Sequence, residues 1–86
     1  MHTVELLDEA VEIAERLGFK IHQDWLGGEG TSACWVKGRK WLMVDLAQSY
    51  DEQLAEIAYA LRGEIHLANV SMTPDLAEYL DVRRVA

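Results

Sequence analysis

Residues 25–47, WLGGEGTSACWVKGRKWLMVDLA, set glycines at 27, 28, 30 and 38 among apolar runs no longer than four residues. Runs this short, bounded by glycine and charge, are strands joined by turns and not helices. The glycines supply the positive φ angles that tight turns need. The same stretch holds all three tryptophans and the only cysteine. It carries more apolar surface than one buried sheet face requires. The surplus calls for a covering segment or a partner, and it does not by itself imply a reaction.

Helical patterns flank these strands. In residues 3–17, Leu6, Ala10, Ile13 and Leu17 form a stripe that Leu7, Val11 and Ala14 widen. Glu5, Asp8, Glu9, Glu12 and Glu15 occupy the far side as a solvated face, with Thr3 as expected N-cap and Gly18 as stop. A second helix starts at Ser49, where Glu52 completes the capping-box spacing. It buries Leu54, Ile57, Ala58 and Leu61 and ends at Gly63. Residues 67–70 read as extended, a short fourth strand. Thr73-Pro74 opens a last helix whose apolar side includes Leu76, Tyr79 and Leu80.

The strands are expected at 19–26, 33–37 and 41–46. Directly opposed residues share a sheet face, so loop length fixes which side chains meet. A two-residue loop at Gly38-Arg39 would pair Val36 with Trp41 and mix the sets. A three-residue loop at 38–40 pairs Val36 with Leu42 and Cys34 with Val44. One face is then Cys34, Val36, Leu42, Val44 and Leu46. The other is Trp35, Lys37, Trp41, Met43 and Asp45. The second register is preferred because it gives one clean core face.

With 86 residues the chain is read as a single domain, 1–86, too small for a second core. Its formal charge of −7 argues against nucleic acid and anionic membranes as partners. One cysteine cannot close an internal disulfide, and neither a leader pattern nor a long apolar run is visible, so a cytoplasmic protein is expected. His2, His22, His66 and Cys34 lack metal-ligand spacing, and no metal or cofactor is expected. The glycines at 27, 28 and 30 lead into a strand and not a helix N-terminus, so they read as turn chemistry and not a phosphate loop. Helix–strand–strand–strand–helix is also the order of double-stranded-RNA-binding domains. Here the start of the second long helix carries Asp51 and Glu52 where those domains need basic residues. Cys34 is expected to be a small buried core residue, and it is the reactive-thiol candidate if that expectation fails.

The pattern L-G-F-K-I at 17–21, the glycines from Gly27, and C-W-V-K-G-R-K-W-L-M-V-D from Cys34 resemble a widespread group of small bacterial proteins. D-E-Q-L, I-A-Y-A-L and a tail with Leu67, Val70, Pro74 and Leu80 extend the resemblance over nearly the whole chain. In that group the glycines run directly into the cysteine, whereas Thr31-Ser32-Ala33 intervene here. No activity goes with the group, so the resemblance implies no site residues. The second helix also looks like the zinc helix A-H-E-L-G-H of small metallopeptidases. Tyr59, Ala60 and Gly63 stand in place of its His, Glu and His, so that likeness implies no catalysis.

The expected architecture is therefore α+β, of order α-β-β-β-α-α: a small antiparallel three-stranded sheet with two helices on one face. Trp35, Trp41 and Met43, beside the basic tip Lys37, Arg39 and Lys40, form the candidate binding surface. The C-terminal segment with Leu76, Tyr79 and Leu80, a second copy of the chain, or another protein would cover it. The expected function is a non-catalytic interaction or accessory protein, self-associating through this face. The alternative is a ligand-binding module or enzyme using Cys34 and Asp45 near the glycine turn.

Overall fold

The computed structural model describes residues 1–82. Its elements are α1 (Thr3–Arg16), β1 (Lys20–Asp24), β2 (Ser32–Val36), β3 (Arg39–Asp45), α2 (Tyr50–Arg62), a 3-10 turn at Leu67–Asn69, and α3 (Pro74–Leu80). This is the α+β class and element order expected. The segment at 67–70 forms the 3-10 turn and not a fourth strand.

Local signals explain the helix ends. The amide of His2 donates to Glu5 Oε1 at 3.2 Å, so His2 and not Thr3 is the N-cap of α1; the Thr3 hydroxyl donates to Asp51 instead. At the other end Gly18 takes φ +96°, and the amides of Gly18 and Phe19 close back onto Glu15 and Ala14. That pairing satisfies carbonyls the helix leaves open. Ser49 and Glu52 cap α2 reciprocally, and the Thr73 hydroxyl caps α3 ahead of Pro74. Glu9, expected on the solvated face of α1, accepts from both the amide and the hydroxyl of Thr73 and ties α3 to α1.

The sheet has the order β1-β3-β2. β2 and β3 are antiparallel, but β1 pairs parallel with β3, so the sheet is mixed and not wholly antiparallel. The two-sided apolar strand takes the centre, where it has a neighbour on each side, and the polar strand KIHQD takes an edge. The turn is two residues, Lys37 and Gly38, with φ of 51° and 78°. Positive φ at both positions matches the twist of a tight hairpin. It sets Val36 opposite Arg39, Cys34 opposite Trp41 and Ala33 opposite Leu42. This differs from both loops considered from sequence, because lysine occupies a positive-φ position that only glycine was expected to fill.

α1 and α2 lie together on one face of the sheet. The core there joins Leu7, Ala10, Ile13 and Ala14 of α1 to Leu54, Ile57, Ala58 and Leu61 of α2. Leu42 and Val44 come up from β3. Leu76 and Leu80 of α3 are buried in the same core against the two long helices. Their place in the helical layer rules them out as cover for the far face of the sheet.

Candidate functional site

Because β1 and β2 flank β3, the chain between them must cross the end of β3, a span of roughly 10 Å at sheet spacing. Asp45 stands at that end. Its Oδ1 accepts from the amides of Leu26 at 3.0 Å and Ala47 at 2.9 Å, and its Oδ2 from Gly30 at 3.0 Å. The side chain is fully buried. Burial opposes its ionisation, but the amides of Gly30, Ala47, Leu26 and Gly28 outweigh it and hold the carboxyl below its ordinary pKa. Thr31 extends the anchor. Its hydroxyl accepts from the Asp45 amide at 3.0 Å and donates to Gln48 at 2.7 Å, while its own amide donates to Glu56. Gln48 and Glu56 join each other at 3.2 Å. Asp45 thus holds the crossing loop by its backbone. The donors on this carboxylate are loop amides, an arrangement that positions the crossing loop.

Among the described residues no helix lies on the other face of the sheet. Trp41 lies between Lys20 and Cys34 across the strands, and Met43 between His22 and Ser32. Val36 sits opposite Arg39 near the turn. His22, Cys34, Val36, Trp41 and Met43 line a shallow depression of about 310 Å³. Lys20 and Arg39 stand at one end of it, and neither enters an ion pair among the described residues. At the other end His22 approaches Asp24 at 3.6 Å.

The sequence candidates are therefore divided. Trp41, Met43 and Arg39 share the open face. Cys34 and Val36, expected inside, join them there because of the two-residue turn, and Cys34 is half-buried and not a core residue. Trp35 pairs with Lys40 on the helix side of the sheet and is 73% exposed there. Lys40 also faces the helices. It pairs with Glu64 and lies over the Phe19 ring at 4.5 Å from its centroid, so its charge is already used. Lys37 occupies the turn itself. Cys34 and Asp45 do not meet: Cys34 is level with Trp41, four residues from Asp45 along β3, about 13 Å in an extended strand. His22 and Val36 were missed as members of the face. Their signal was β-alternation read with the shorter turn. Thr31, Gln48 and Glu56 were missed as loop anchors. A glycine loop with several free amides beside a strand-end aspartate was the cue.

Among the described residues no three His, Cys, Asp or Glu side chains gather as a metal site, and no helix is long and apolar enough to cross a membrane. Comparison with known proteins finds no match to this chain among family models, curated proteins or solved structures.

Proposed function

We propose that this chain is a non-catalytic interaction protein whose contact surface is the open face of the sheet. One observation carries the reading: Cys34, Val36, Trp41 and Met43 form an apolar patch on the side that no helix among the described residues covers. Tryptophan and methionine concentrate at protein interfaces, and methionine adapts to varied partner shapes. Lys20 and Arg39 at its rim give the patch a basic end on a chain of net charge −7. The fitting partner is a protein surface with an apolar centre and carboxylates beside it. The reading of Cys34 and Asp45 as a catalytic pair has no support, because the strand separates them and the loop amides occupy the carboxylate.

A photo-activated cross-linking residue tests this when placed at His22 or Val36 in the cell of origin. It should form a defined protein adduct that Trp41→Arg removes. The same group at Glu12, outward on α1, should form none. Equal adducts from both positions, or adducts only from Glu12, would overturn the proposal.

A further inference from the structure

The open face is small. Five residues by three strands span roughly 17 by 14 Å, or about 240 Å² in projection. A specific protein interface buries about 800 Å² on each side. A larger sheet would supply the difference, and the two edges of this one are not alike. β1 presents Lys20, His22, Gln23 and Asp24, the polar and charged dress that keeps an edge from pairing. β2, Ser-Ala-Cys-Trp-Val, bears no charge and no proline, and among the described residues its only sheet neighbour is β3.

Beside the β2 edge lies a groove of about 520 Å³ on the helix side, lined chiefly by Ala33, Ala55, Tyr59 and Ala60. Small side chains on β2 and α2 leave it open, and Tyr59 is 81% exposed at its rim. On the same side of the same strand, two residues away, Trp35 projects into solvent. Trp35 borders only a shallow recess with Gly18, Lys20 and Lys40 and stays 73% exposed, so one strand carries a large apolar side chain left mostly in solvent and a groove without an occupant.

We infer that two copies of this chain pair antiparallel through β2, about a two-fold axis at Cys34, each placing Trp35 in the other's groove. The ladder supports this register. The tight turn makes Val36 and Arg39 a hydrogen-bonded pair, so by alternation the backbone groups of Ser32, Cys34 and Val36 face β3. Those of Ala33 and Trp35 then face outward. With Cys34 opposite Cys34, Ala33 of each copy exchanges backbone hydrogen bonds with Trp35 of the other. Directly opposed residues share a face, so each indole stands over an Ala33 and enters the groove beside it. Two indoles at roughly 150–250 Å² each, with the walls that receive them, bring the buried surface to about 1,000 Å² in total. The product is a six-stranded sheet whose open face holds two copies of the Trp41–Met43 patch. The inference enlarges the surface proposed above but does not depend on what binds there.

The axis offers a direct test. At a non-hydrogen-bonded antiparallel pair the Cα atoms are about 4.5 Å apart, within disulfide range. Diamide should therefore link purified chains through Cys34 rapidly and reversibly by thiol. In a Cys34→Ser background, Ser32→Cys should not link, since it stands about 14 Å from its own copy in this register, whereas Ser32→Cys with Val36→Cys should link. Sedimentation of the reduced protein should show a dimer that Trp35→Ala weakens at least tenfold, as loss of a central interface tryptophan does. Trp35 is exposed in the single chain, so that variant keeps its fold. A monomer at all concentrations, or equal linking by Ser32→Cys alone, would overturn the inference. Adducts of the open face at His22 that persist in the Trp35→Ala monomer would show that face to act without the dimer.

Discussion

Cys34 stands directly opposite Trp41 on the uncovered face of the sheet. That pair fixes the register of the hairpin, and the register decides which side chains are core and which are surface. A slip of one residue would carry Cys34 inward and return Trp35 to the open face.

The thiol reports this placement directly. Cys34 is half-buried on the open face, so native protein should be alkylated without unfolding, at a rate that denaturant raises only modestly. Slowing at high protein concentration is expected if β2 edges pair. Labelling that requires global unfolding would contradict the two-residue turn.

Leu42 and Met43 are sequence neighbours with opposite fates. Leu42 is fully buried beneath the helices, and Leu42→Ala should cost about 2–5 kcal/mol. Met43 faces the open side, and Met43→Ala should cost under about 1 kcal/mol while weakening partner contact. Urea unfolding of the two variants decides it. Similar midpoints would mean that the faces are wrongly assigned.

The crossing loop should be most sensitive at Gly30. It has φ +111°, and a Cβ there would lie 3.4 Å from the Glu56 carboxylate that holds Thr31. Gly27 has φ +69° and open space around it. Gly30→Ala should fall at the upper end, and Gly27→Ala near the lower end, of the roughly 1–3 kcal/mol that such backbone positions cost. Equal midpoints in chemical denaturation would remove the crowding argument.

Asp45 gives the fold an acid limit. Its folded-state pKa lies below the ordinary carboxylate value, because loop amides outweigh the burial that opposes ionisation. Its contribution is thus complete above the unfolded-state pKa and is lost as pH falls through the folded-state one. Asp45→Asn should lower the denaturation midpoint near neutral pH and narrow its gap from the parent in acid. A constant gap across that range would show that the carboxylate's charge plays no part.

The elements and most caps were legible because they depend on local chemistry. Ser49 with Glu52, Thr73 with Pro74, and Gly18 each declared a boundary. Strand order was not legible from the same kind of signal. It rests on a long-range choice, in which the two-sided apolar strand takes the middle and sends polar β1 to an edge. The hairpin register was missed for a local reason, since Lys37 accepts a positive φ that its residue type disfavours. Of the candidate face, Trp41, Met43 and Arg39 were found, while Trp35 and Lys40 fell to the helix side with that register. Asp45 was noticed at its strand end, but its loop partners come from residues distant in sequence.

The parallel pairing of β1 with β3 also orders the assembly of the molecule. Lys20 leaves the ribosome well before Trp41, its neighbour across the ladder. The first strand therefore waits, held by α1 alone, until the hairpin has closed. β1 must then dock on the remaining edge of β3, and Asp45 can collect the loop amides only after it is seated. Local β2–β3 contacts and long-range β1–β3 contacts thus differ in loop-closure cost, and docking of β1 is the expected slow step.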